Sequence, residues 1–360
     1  MKIFHSFIVA SCCVIQTACV SLVSADSRAT AVLQIQTNHE IARRFLQATA
    51  AGDSAAMRAL MARDASLTYI VAGVYSPELH AFPGGTHWGR EATIRNATAF
   101  RQAIEGPFRL DILSLIAEGD QVAAEIIGHG IRKTTHRPYI QHFSFHFEIT
   151  GGQITAIRLY QDTFHLWDVW DHVGPTVRAP YEPIQHSSEQ SEHPPGALTR
   201  ENAVGDNLGT DKEVVLRFLA AVPAGDVKTA RAMWAPDGTW CFAVGGDYSR
   251  TLHAFQDAPR WDPDSLTTMQ RAVQRNLKEP MTLDVYSVIE ENSRVSVEAV
   301  GFLVRPNGRA YRQHYSIHFT LRNGRLIEAH EYQDTLHMYD VKLERPNYSP
   351  VTPSRSPKDD

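Results

Sequence analysis

Polar and apolar residues alternate along Gln141-His142-Phe143-Ser144-Phe145-His146-Phe147. The same alternation returns at Gln313-His314-Tyr315-Ser316-Ile317-His318-Phe319. A period of two is that of a strand with one apolar face, so the histidines lie opposite in phase to the aromatic residues. Earlier in each half the period lengthens: Ile41, Phe45 and Leu46, and again Val214, Phe218 and Leu219, predict helices. Gly52-Asp53 and Gly225-Asp226 then supply a helix stop and an N-cap, so second helices are expected near 54–61 and 227–234. Strands near 66–74 and 239–244 follow. After a loop come helices near 90–104 and 264–277. Four strands near 108–118, 121–132, 138–149 and 153–165 close the first half, with hairpin signals at Gly119-Asp120 and Gly151-Gly152. Helices first and an antiparallel meander last define an α+β fold. Three helices on one face of a curved antiparallel sheet make a cone with an apolar mouth.

The halves are copies. Arg44-Phe45-Leu46 recurs as Arg217-Phe218-Leu219 at an offset of 173, and Leu79-His80-Ala81-Phe82 as Leu252-His253-Ala254-Phe255. Trp88 matches Trp261, and Glu125 matches Glu298. The offset then falls to 172 for the alternating strand and for Tyr160-Gln161-Asp162-Thr163, which recurs as Tyr332-Gln333-Asp334-Thr335. In-register matches of this kind identify a duplicated domain. The copies are placed at 39–170 and 211–342, with a disordered, Pro- and Ser-rich linker at 171–210 and a similar tail at 345–360. Packing of one copy against the other, as an intramolecular pseudo-dimer, is expected.

Composition narrows the setting. A net charge of −5 with no basic block argues against a nucleic-acid partner. Lys2, the apolar stretch from Phe4 to Val23 and the small residues of Val23-Ser24-Ala25 read as a signal peptide over 1–25, with cleavage after Ala25. The expected location is secreted or periplasmic, with no membrane attachment after cleavage. Cys12, Cys13 and Cys19 fall in that segment, which leaves Cys241 alone and no internal disulfide.

The candidate chemistry is acidic and aromatic. Asp162 and Asp334 are placed on the last strand of each copy, sharing a face with Tyr160 and Tyr332, while Glu331 falls on the opposite face. Each Asp is a candidate general base or a strand-end cap, and the sequence leaves open which face is inside. Glu125 and Glu298 sit mid-strand and need partners such as His146 and His318; the same face is a candidate packing surface between the copies. His80, His253, Trp88 and Trp261 are candidate ligand contacts near the mouth, or plain loop anchors, and His129, on the strand that carries Glu125, is a further candidate ligand contact. No metal site is expected, because His142 and His146 stand about 13 Å apart along a strand. Cys241 reads as a small buried hydrophobe.

The order of elements, with Arg-Phe-Leu and Ala-Gly-Asp at the start and the Gln-His strand and Tyr-Gln-Asp-Thr at the end, resembles the nuclear-transport-factor-2-like superfamily. Within it the match is to SnoaL-like domains, kin of ketosteroid isomerases and polyketide cyclases. Residues 314–319 and 331–335 are also similar to the end of the phenazine-biosynthesis A/B proteins. The resemblance implies two tandem cones, each a hydrophobic pocket where a carboxylate moves protons on a small hydrophobic ring compound without a cofactor. In phenazine-type members the acid/base Glu would fall on Glu331; the first copy carries Leu159 there, and the position of the assisting His holds Asn96 and Met269. The resulting expectation is an isomerase, cyclase or dehydratase, with a non-catalytic binder or scaffold as the alternative.

Overall fold

The computed structural model describes residues 33–35, 37–72, 86–171, 210–244, 260–275, 277, 279–305 and 308–342. The expected signal peptide and tail, residues 172–209 of the expected linker, and His80 and His253 lie outside these residues, while Asp171 ends one helix and Thr210 caps another.

In the first copy a helix over 37–51 buries Ile41, Ala42, Phe45, Leu46 and Ala48. It ends at Gly52, whose φ of 73° is left-handed. Asp53 then accepts from the N–H groups of Ala55 and Ala56 and starts the helix Ser54–Leu60. The chain continues as β1 Met61–Tyr69, β2 His87–Gly89, the helix Arg90–Gln102, β3 Ile104–Glu118, β4 Gln121–Arg132, β5 Pro138–Thr150, β6 Gln153–Gln161 and the helix Thr163–Asp171. The second copy repeats this with helices Asp211–Ala224 and Val227–Ala232, β7 Trp234–Phe242, β8 Arg260–Trp261, the helix Pro263–Arg275, β9 Thr282–Glu291, β10 Arg294–Val304, β11 Ala310–Arg322, β12 Arg325–Gln333 and the helix Thr335–Lys342.

Each copy forms a six-stranded sheet, in the orders β2-β1-β6-β5-β4-β3 and β8-β7-β12-β11-β10-β9. Neighbours are antiparallel except β1 with β6 and β7 with β12, which are parallel. Register shifts at Ile112/Ser114 and Glu298/Ala299 mark bulges, which bend the strands into the cone. The sequence expected the last strand to run to 165. Instead it stops at Gln161, and Asp162 caps a fourth helix by accepting from the His165 N–H at 3.0 Å. Asp334 does the same for His337 at 3.0 Å. A side-chain acceptor three residues upstream of a free N–H favours a helix start over strand continuation.

The alternation along β5 and β11 finds both faces covered. Phe147 packs edge-on against Phe45 of the helical layer, with ring centroids 5.9 Å apart. The polar face meets the other copy. Ser144 and Ser316 Oγ lie 2.9 Å apart, and each serine also meets the other copy's histidine at 2.8 Å, His318 Nε2 and His146 Nε2.

Around this centre the contacts come in reciprocal pairs. Glu298 accepts from Arg158 Nε and Nη2, both at 2.8 Å, and from Tyr160 at 3.0 Å. Tyr286 donates in turn to Tyr160 at 2.5 Å. Glu125 accepts from His330 Nδ1 at 2.7 Å and from Tyr332 at 3.2 Å. Asp162 accepts from Thr335 at 2.5 Å, and Asp334 from Thr163 at 2.6 Å.

Glu298 and Glu125 are held ionised. Burial opposes charge on Glu298, but His146, Arg158 and Tyr160 outweigh it and its pKa is lowered. For Glu125 the neighbours His318, His330 and Tyr332 likewise outweigh burial, bringing it down to about 2. His146 Nδ1 lies 3.4 Å from the Glu298 carboxylate, but burial outweighs that attraction and pushes its pKa down to about 3.

Two outcomes follow for chemical denaturation of the full chain. Arg158→Met strands a fully buried carboxylate and is expected to cost about 3–5 kcal/mol, part of which returns when Glu298→Gln is added. Asp334→Asn keeps one acceptor oxygen where Asp334 uses two, Oδ1 for Thr163 and His337 and Oδ2 for Ala72, and is expected to cost about 1–3 kcal/mol.

Candidate functional site

Strand alternation divides β12. His330 and Tyr332 face the other copy, whereas Ala329 and Glu331 face the cone of their own copy. Glu331 is buried, and among the described residues its carboxyl accepts a hydrogen bond from Trp240 Nε1 at 2.9 Å. Trp240 comes from β7, the parallel neighbour of β12, and packs against Phe218 and Phe319 at 5.9 and 6.0 Å. Tyr311 and Tyr315 belong to the same surroundings: burial raises both phenols, and the nearby Glu331 charge adds to it. Gly301 makes room for this arrangement, since a Cβ there would stand 2.8 Å from the Tyr315 ring. Desolvation dominates the carboxyl, the Trp240 bond offsets part of it, and the Glu331 pKa rises to about 8. A carboxylic acid that is mostly neutral at pH 7 can donate a hydrogen bond, and its ionised fraction can take a proton.

The first copy replaces this polar pair with an apolar one. Leu67 and Leu159 stand where Trp240 and Glu331 stand, and both are buried. Large rings fill the surroundings: Phe100 stacks on Trp170 at 5.1 Å, and Phe108 meets Phe100 edge-on at 5.1 Å. The second copy has smaller residues at equivalent places, with Val273 for Phe100, Met281 for Phe108, Ile317 for Phe145 and Ala299 for Ile126.

The other residues singled out in the sequence separate into three groups. Asp162, Asp334, Tyr160, Tyr332, Glu125, Glu298, His146 and His318 come together, but between the copies and on the sheet face opposite Glu331. His129 lies 3.0 Å from Asp111 and is partly exposed. Trp88 and Trp261 are on the short edge strands β2 and β8, not in a loop. Trp88 meets Tyr69 at 4.9 Å, and Trp261 meets Phe242 at 6.0 Å.

Sequence reasoning missed Trp240, Arg158 and His330. The signal for Trp240 lay in the repeat itself, because Leu67 and Leu159 change together to Trp240 and Glu331. Arg158 and His330 share one position, next but one before the conspicuous Tyr, and pair with Glu298 and Glu125 across the copies. No described helix is long and apolar enough to cross a membrane.

No curated protein matches the chain. Solved structures do, each over little more than a third of it. An NTF2-like protein of unknown function from Burkholderia pseudomallei K96243 is 21% identical over 36% of this chain and 95% of its own, with a TM-score of 0.31. A protein with a ketosteroid isomerase-like fold from Catenulispora acidiphila DSM 44928, in complex with trimethylamine, is 22% identical over 34% and 84%, with a TM-score of 0.28. A candidate SnoaL-like polyketide cyclase from Jannaschia sp. CCS1 is 13% identical over 39% and 95%, with a TM-score of 0.33. At such identities the likeness is one of fold. The SnoaL-like domain family matches in sequence at residues 42–157 and again at 215–329, so the chain belongs to that family and carries its domain twice.

Proposed function

We propose that this is an exported protein whose second copy binds a small hydrophobic ring compound and moves a proton next to a carbonyl, in an isomerisation, cyclisation or dehydration that uses no cofactor. Glu331 is the acid/base group. The reading is carried by one observation: a carboxyl buried in an apolar, aromatic lining and steadied, among the described residues, by one indole N–H. The Trp240 bond falls on Oε2, which leaves Oε1 as the atom for the substrate proton. With its pKa moved up to about 8, the group is close to neutrality in either direction, which is what general acid–base catalysis needs.

The first copy is a scaffold on this reading. Leu159 and Leu67 offer no proton acceptor, and the aromatic side chains around them favour a packed interior. The two copies act as an intramolecular pseudo-dimer, and the residues between them serve cohesion: the reading needs no chemistry from Asp162, Asp334, Tyr160, Tyr332, His146 or His318. Export rests on the N-terminal pattern of Lys2, the apolar stretch and Val23-Ser24-Ala25.

The purified full chain would be heated with sterol ketones, aromatic polyketides and terpenoid ketones. A compound at 100 times its Kd adds about 2.7 kcal/mol and raises the unfolding midpoint by a few degrees. For any binder, exchange of the proton beside its carbonyl in heavy water is expected to be at least about a hundredfold slower in Glu331→Gln. Equal exchange in the variant would remove Glu331 from the mechanism, and silence across the panel would leave a scaffold.

Stability gives a second check. Unfolded Glu ionises near 4.5, whereas folded Glu331 holds its proton up to about pH 8. The folded state therefore binds the extra proton between these limits, and its stability falls as pH rises through them, by at most about 1.4 kcal/mol per unit. Glu331→Gln is expected to flatten that decline in pH-dependent denaturation curves.

A further inference from the structure

On the far side of β12 from the cone, three side chains gather that the reading above does not use. Cys241 projects from β7, and Glu328 and His330 from β12, with Cys241 directly opposite His330 in the parallel pairing. One donor atom from each lies within 4.8 Å of those of the other two. His330 Nε2 is 3.1 Å from a Glu328 oxygen, close to the edge of a zinc tetrahedron, which is about 3.3 Å for bonds of about 2.0–2.1 Å. The other ring nitrogen, Nδ1, donates to Glu125 of the first copy at 2.7 Å.

A carboxylate on the far nitrogen of a ligating histidine fixes its tautomer and orients the ring, and here it directs Nε2 toward Cys241 and Glu328. The Glu125 carboxylate is itself steadied by Tyr332 at 3.2 Å. Cys241 is buried, while His330 and Glu328 keep 22% and 36% of their side-chain surface open to solvent, which provides an entry path.

The first copy supplies the contrast. Its equivalents are Thr68, Ala156 and Arg158, none of which suits such an ion, and Arg158 spans from Glu298 to Glu148 with its own guanidinium. All three positions differ together, and in the second copy all three are ligand types.

We propose that Cys241, Glu328 and His330 bind a divalent cation of the zinc type, with Glu125 orienting His330 from the other copy. Thiolate with imidazole and carboxylate is a donor set suited to zinc rather than to magnesium or calcium. The ion replaces the second ring proton of His330 as the positive charge between Glu125 and Glu328. Small torsions of Cys241 and Glu328 close the remaining distance.

The test is titration of the chelator-treated chain from residue 26 onward, in which Cys241 is the one cysteine, with Co²⁺ and Zn²⁺. The expected result is one equivalent bound, a cobalt–thiolate charge-transfer band in the near ultraviolet, and a zinc-dependent rise in the unfolding midpoint. Cys241→Ala is expected to abolish the band. His330→Gln should abolish stoichiometric binding, and Glu125→Gln should weaken it about 10–100-fold. Absence of the band and of the zinc shift in the unaltered chain overturns the proposal, whether or not any variant folds. So does a band or a stoichiometry that survives in Cys241→Ala.

Discussion

Two carboxylates placed mid-strand and out of reach of water govern this molecule. Glu298 is fully buried and Glu125 nearly so, and an ionised carboxylate in that setting costs several kcal/mol unless it is paired. Neither finds its main partner in its own copy. Glu298 is held by Arg158 and Tyr160, and Glu125 by His330 and Tyr332. Each copy thus carries a charge that only the other can neutralise. The serine and histidine pairs at the centre, and the threonines that donate to Asp162 and Asp334, extend the same reciprocity. Sheet packing, the short last helices and the buried polar face all follow from that constraint.

Within this shared frame the copies have diverged on both faces of one parallel strand pair, β1 with β6 and β7 with β12. On the cone side, Leu67 with Leu159 is set against Trp240 with Glu331; on the outer side, Thr68, Ala156 and Arg158 are set against Cys241, Glu328 and His330. The polar changes concentrate in the second copy. A buried acid survives there because Trp240 supplies a donor and the lining is otherwise apolar. The first copy fills the equivalent space with Phe100, Phe108 and Trp170, whose rings pack together, one pair stacked and one edge-on. One gene segment, doubled, has become a packed half and a half with chemistry-bearing groups.

Much of the fold was legible in the residues, for identifiable reasons. Period-two alternation at 141–147 and 313–319, the Gly-Asp junctions and the glycine hairpins are local signals, and local signals set local structure. The last strand was read too long because Tyr-Gln-Asp-Thr alternates like a strand, while the capping of His165 by Asp162 decides for a helix. The site was less legible. Alternation put Glu331 and Asp334 on opposite faces, but which face is interior depends on where the other copy lies, a long-range fact that no window contains. Asp162 and Asp334 drew attention through their repetition, and their repetition reflects reciprocal bonding between the copies. The Cys241 group joins two strands far apart in sequence, with His330 paired to Cys241, so no motif announces it.

The reciprocity also has a temporal side. The bond between Glu125 and His330 spans 205 residues, and the one between Ser144 and Ser316 spans 172. At about 5–20 residues per second, a chain emerging from the ribosome would carry the finished first sheet, complete at Gln161, for roughly 8–34 s before His330 exists. During that interval the Ser144 and His146 face is wet, Glu125 is solvated, and the helix after Asp162 lacks the Thr335 that ties it down. The first copy is thus obliged to remain half-made until the second arrives, and the second meets a template already in place.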